Sequence, residues 1–123
     1  MTEPTIADTV HALYRALGDR PAFDAHLHPD LTMWETDAPD LLRGLADLDA
    51  LRDRRAPAVD AVPPVSVAPE DLLIEEWDDT GLARYVLRAA YAGRPDTLFR
   101  VTDVFRRDGS GWRIVHHHAE ESR

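Results

Sequence analysis

Ile6, Val10, Leu13 and Leu17 recur at spacings of four, three and four, which puts them on one face of a helix over residues 6–17. Thr5 supplies a cap for it, Asp8 suits its positive end and Gly18 supplies a stop. A short second helix is predicted over 21–27, after Asp19 and closed by His28-Pro29-Asp30. Leu31-Thr32-Met33-Trp34-Glu35-Thr36 reads as a strand, and Asp37-Ala38-Pro39-Asp40 as a turn. Leu41, Leu45, Leu48 and Leu51 mark a third helix over 41–55, with most of its aspartates and arginines on the solvated side. Residues 56–69 hold four prolines, four valines and four alanines. They read as a loop entering a strand near Val65, or as an edge strand interrupted by proline. From there the period falls to two, predicting strands over 72–78, 82–92, 97–107 and 112–119. The connections Asp78-Asp79-Thr80-Gly81, Gly93-Arg94-Pro95-Asp96 and Asp108-Gly109-Ser110-Gly111 are short turns, so the four strands form an antiparallel meander. Helix, helix, strand, helix and four strands make an α+β domain, with helices grouped on one face of a curved antiparallel sheet. The length of 123 residues suits one domain spanning 1–123.

Composition narrows the function classes. Hydrophobic residues at 44% and charged residues at 30% are a globular balance. The 23 acidic residues face 14 arginines and no lysine, for a net charge of -9. A surface this acidic repels phosphate backbones, which argues against a nucleic-acid partner. The absence of cysteine excludes disulfides, thiolate zinc sites and cysteine nucleophiles; the absence of lysine excludes Schiff bases and the P-loop. No apolar run approaches the roughly 20 residues of a membrane span. Met1-Thr2-Glu3-Pro4 lacks the basic and apolar regions of a signal peptide. The expectation is a cytoplasmic protein with no membrane partner.

Three stretches carry a family resemblance. One is Val101-Thr102-Asp103-Val104-Phe105-Arg106-Arg107-Asp108-Gly109-Ser110-Gly111-Trp112-Arg113-Ile114-Val115-His116-His117-His118, the second Leu31-Thr32-Met33-Trp34-Glu35, the third Arg43-Gly44-Leu45. Together with the element order they resemble the nuclear transport factor 2-like superfamily, and within it the SnoaL-like and ketosteroid-isomerase-like small proteins. The association domain of calcium/calmodulin-dependent kinase has a similar ending. The resemblance covers essentially the whole chain and implies a cone, in which the sheet curls around the helices and leaves a cavity at its open end. It also implies a homodimer formed through the outer face of the sheet. The fold hosts isomerases, cyclases, dehydratases and non-catalytic members, so chemistry has to be read from the site.

Strand alternation sorts the candidates for that cavity. Val101, Asp103 and Phe105 share one face, as do Tyr85 and Leu87, and as do Arg113, Val115, His117 and Ala119. Relatives place a pocket residue at the position of Asp103 and a second at that of Ala119. Cyclase-like relatives carry an acid where Ala119 stands, so that base is missing here. Asp103 is the candidate general base, because desolvation in an apolar cone strengthens a carboxylate as a base. With Tyr14, Tyr85 or His117 donating to a developing oxyanion, it would take a proton next to a carbonyl, as ketosteroid isomerase does. The alternatives are Asp103 solvated at the rim, or paired with Arg113 across the hairpin. Catalytic candidates are thus Asp103, His117 and Tyr14; candidate lining residues are Trp34, Tyr85, Leu87, Val101, Phe105 and Val115. Trp34, Trp112 and Phe105 read equally as core or interface aromatics.

His116 and His118 project to one side, and His26 and His28 offer a second pair, yet no third ligand or HExxH pattern completes a metal site. No metal and no cofactor is expected. Arg84, Arg88, Arg100 and Arg106 line the opposite, convex face. The function expected is a pocket for a small, mostly apolar or carbonyl-containing molecule, with a cofactor-free isomerase, cyclase or dehydratase as its catalytic form. The alternative is a non-catalytic oligomerisation or ligand-binding module like the kinase association domain.

Overall fold

A computed structural model describes residues 3–55, 62–109 and 111–122. Along them run α1 (Ile6–Arg15), α2 (Arg20–Asp24), β1 (Leu27–Trp34), β2 (Leu42–Arg43), α3 (Gly44–Arg55), β3 (Ser66–Trp77), β4 (Thr80–Tyr91), β5 (Arg94–Asp108) and β6 (Gly111–Glu121). The six strands form one sheet in the order β2-β1-β6-β5-β4-β3. All neighbours are antiparallel except β1 and β6, which run parallel. The meander predicted from the period of two is therefore present, and β1 joins its far side. No helix among the described residues is long and apolar enough to cross a membrane.

Local chemistry accounts for the elements. Thr5 accepts from the Asp8 amide at 3.0 Å while Asp8 accepts from the Thr5 amide at 3.0 Å, a reciprocal cap that starts α1. Its apolar stripe, Ile6, Val10 and Leu13, is buried against the inner face of the sheet with Phe105 and Ile114. Each such side chain stabilises the fold by about 1.5–3 kcal/mol when fully buried. Leu17, the last residue of the predicted stripe, lies past the end of α1 and is 49% exposed. β3 begins earlier than its apolar pattern suggested, running through Pro69. As the outermost strand it tolerates a residue without an N–H. Residues 56–61, the first part of the proline-rich segment, lie outside the described residues.

Of four register shifts among the described strands, two fall in β3 and at the β5–β6 seam. Asp71 takes φ 56° where the β3–β4 register shifts between Glu70 and Leu73. A second shift falls between Val104 and Phe105 on β5, opposite Val115 of β6. Such bulges increase local twist and re-aim the side chains beyond them. The predicted third helix is divided: residues 42–43 form the short strand β2, and α3 starts at Gly44, whose φ of +77° suits glycine.

Candidate functional site

Four elements bring one polar chain together inside the cone. The Tyr85 hydroxyl of β4 donates to Oδ2 of Asp103 on β5 at 2.6 Å. Oδ1 of the same carboxylate lies 2.5 Å from Nδ1 of His117 on β6, its direct cross-strand partner. Tyr14 of α1 meets the Tyr85 hydroxyl at 2.7 Å, their rings edge to face. Tyr85 has one proton and gives it to Asp103, so Tyr14 is the donor in the Tyr14–Tyr85 bond. Asp103 is 0% exposed, and both of its oxygens are occupied. The alternatives of a rim carboxylate or an Arg113 pair do not occur; Arg113 pairs with Asp108 at 4.0 Å instead.

This chain ends on a cavity of about 720 Å³, lined by apolar side chains including Leu13, Phe23, Leu27, Met33, Leu87 and Phe99. Tyr14 and His117 reach it, and so does Glu35, the first residue past β1. His117 Nε2 lies 3.8 Å from Glu35 Oε1. On its other side Glu35 Oε2 is 3.6 Å from Arg55 Nη2, at the C-terminus of α3. Arg55 forks onto Asp37, with Nε to Oδ2 at 2.8 Å and Nη2 to Oδ1 at 2.6 Å.

The electrostatics follow from burial and these contacts. For His117, burial pushes the pKa down, but the Asp103 charge, its hydrogen bond and the Glu35 charge outweigh it and hold the pKa above the usual 6.5. The imidazolium is favoured, with Nδ1–H donating to Asp103 and Nε2–H turned to the cavity and Glu35. Burial, then the Asp103 charge, raise both tyrosines well above their ordinary range, so they remain neutral phenols.

The candidates from the sequence separate into three groups. Tyr14, His117 and Leu87 line the cavity. Asp103, Tyr85, Val101 and Phe105 are buried and do not line it, although Asp103 and Tyr85 bond to the residues that do. Trp34 and Val115 are corrected: Trp34 points away from the neighbouring Met33 and is 42% exposed, while Val115 sits at the β6 register shift and is half-buried. That shift inverts the alternation, so Trp112 and Ile114 face inward below it and His117 and Ala119 above it. Glu35 was missed, although the alternation of Leu31 and Met33 already placed it on the inner face. His116 uses Nδ1 against Thr32 Oγ1 at 2.7 Å, and no group of three or more potential metal ligands occurs among the described residues.

A curved sheet with an internal polar chain at an apolar cavity defines the cone-shaped α+β class. The family model described as SnoaL-like domain matches residues 6–119, and the chain belongs to that family. Curated protein sequences gave no match. Among solved structures, the calcium/calmodulin-dependent kinase II hub of S. rosetta superposes with a TM-score of 0.80 at 20% identity, covering 99% of this chain and 98% of that one. An NTF2-like protein of unknown function from Pseudomonas putida gives 0.80 at 19% identity, covering 94% and 82%. A ketosteroid isomerase candidate from Parabacteroides distasonis gives 0.74 at 16%, covering 97% and 89%. At these identities the likeness shows the fold alone.

Proposed function

We propose that the protein is a cofactor-independent acid–base catalyst acting next to the carbonyl of a small, mostly apolar molecule bound in the cone. The observation that carries this is the pair on the cavity wall: His117 Nε2 and the Glu35 carboxylate, 3.8 Å apart, with His117 fixed from behind by Asp103. That gap is too long for a hydrogen bond, so both groups keep capacity for a ligand between them. Glu35 takes the proton from carbon, negative charge develops on the carbonyl oxygen, and Glu35 returns the proton to the same or the allylic carbon. The oxygen is held by His117 Nε2–H and by Tyr14, whose single proton turns from Tyr85 to the ligand. Asp103, enclosed and doubly bonded, is a positioning residue in this scheme and the base role passes to Glu35. A cavity of about 720 Å³ suits a two- or three-ring molecule.

2-Tetralone, a bicyclic ketone, tests this without knowledge of the natural substrate. The wild type is expected to accelerate exchange of its α-hydrogens in D2O, followed by NMR. Glu35→Gln and His117→Gln should each lower that rate about 100-fold. Exchange at the buffer rate with wild-type protein, while 2-tetralone still raises the melting temperature, would leave binding without catalysis.

A second reading, a non-catalytic oligomerisation module, is supported by the likeness to the kinase hub. We propose that the copies meet as a homodimer through the outer face of the sheet.

A further inference from the structure

We propose that Arg55 is a positioning residue that holds the Glu35 carboxylate in front of His117, so that seating of α3 and alignment of the base are one event. This rests on the acid–base reading of the cavity. Among the described residues no close side-chain hydrogen bond holds Glu35: its oxygens lie 3.8 Å from His117 and 3.6 Å from Arg55. Arg55 is held far more firmly, by the two-pronged bond to Asp37. A planar fork against a carboxylate fixes both distance and orientation. Asp37 therefore fixes the guanidinium, and the guanidinium sets where the Glu35 charge rests.

Arg55 closes α3, and α3 is itself held by few apolar contacts. Of its twelve residues only Leu48 and Leu51 are buried. Leu45 packs against the core at its edge, and ion pairs add to the attachment: Arg52 grips Asp24 at 2.7 and 3.1 Å, and Arg20 reaches Asp53 at 3.1 Å. These contacts tie α3 to α2, and Arg55 ties it to the segment after β1. A shift of α3 away from the cavity takes the cation from Glu35 and lets the carboxylate swing to water.

The sign of one titration separates positioning from plain charge. His117 faces Asp103 from β5, Tyr14 and Tyr85 through that carboxylate, and Glu35 with Arg55 behind it. His116 and His118, its neighbours on β6, alternate to the other face. Removing the Arg55 charge with nothing else altered makes the surroundings more negative and raises the His117 midpoint. Releasing Glu35 removes an anion from beside the imidazole and lowers it.

The experiment is an NMR titration of the His117 imidazole in the unliganded full chain. In Arg55→Gln the midpoint is expected to fall by about 0.5 pH or more, and Glu35→Gln should reproduce that fall. Adding Arg55→Gln to Glu35→Gln should lower it no further. Arg55→Lys, which keeps the charge but not the planar fork onto Asp37, should move it in the same direction by less and serves if Arg55→Gln does not fold. An unchanged or higher midpoint in folded Arg55→Gln, or in Arg55→Lys where that stands in, overturns the proposal. No ligand is involved, so failure of 2-tetralone exchange and failure of this titration are separate results.

Discussion

His117 is enclosed by groups that pull its proton in opposite directions. Burial alone would strip the imidazole of its charge, while Asp103 and then Glu35 restore it, and the net pKa stands above 6.5. A histidine whose pKa is raised on folding stabilises the protein fully below its unfolded value, and that stabilisation fades as pH rises through the folded value. The stability difference between wild type and His117→Gln should therefore be largest at pH 6 and shrink toward alkaline pH, as read by urea denaturation at a series of pH values. A difference independent of pH would refute the coupling to Asp103. Asp103→Asn removes the charge that both His117 and Tyr85 address and should cost about 1–3 kcal/mol, with 2-tetralone exchange falling as His117 loses its orientation. Asp103 and His117 were legible together because strand alternation and the family resemblance pointed at the same face, while Tyr14 was read only as a possible donor from the first helix. Trp34 and Val115 were misassigned for separate reasons: an aromatic next to an apolar alternation reads as inward although Leu31 and Met33 set the opposite parity, and no pattern in residues 112–119 announces a bulge. Glu35 went unread because a polar residue ending an apolar strand looks like the strand's boundary.

Among the elements, α3 is where pattern and structure diverge most. The leucine spacing from Leu41 to Leu51 continues a helical period backwards through residues 41–43, but Leu42 and Arg43 pair with β1 instead. Gly44 decides the boundary. Its φ of +77° is one that side-chain-bearing residues avoid, and a Cβ there would stand 3.2 Å from the Pro29 carbonyl oxygen. Gly44→Ala should thus destabilise by about 1–2 kcal/mol, although alanine is the better helix former, and thermal denaturation would read it. A gain in stability would mean the left-handed turn is dispensable. Leu48 is both a buried anchor of α3 and part of the cavity wall. Leu48→Ala should cost about 2–5 kcal/mol and weaken retention of 2-tetralone, measured by equilibrium binding. The long strands were easier to read, since eleven to fifteen alternating residues leave few other arrangements.

At the scale of the molecule, the outer face of the sheet determines whether one cone works alone. One row across it runs Leu82, Val104, His116, Thr32, the cross-strand partners of β4, β5, β6 and β1. The next runs Arg84, Thr102, His118, Trp34. Ion pairs Arg84–Glu75, Arg88–Glu70 and Arg100–Glu120 lie on the same face, so a mixed strip, apolar at Leu82, Val104 and Trp34 and polar at Thr32, Thr102 and His116, carries a neutralised border despite the net charge of -9. That is the division between core and rim that protein interfaces show. The proposed homodimer would bury about 800 Å² on each partner. Val104 is the residue to change: it lies in the middle of the strip, and its neighbours Asp103 and Phe105 point the other way, into the core. Light scattering should give the wild type the mass of two 13.8 kDa chains and Val104→Glu that of one, with 2-tetralone binding retained because the cavity side of β5 is untouched. A wild type that scatters as a single chain would end the dimer. A larger ring-like mass, with no ligand taken up, would favour the hub-like module over the catalyst.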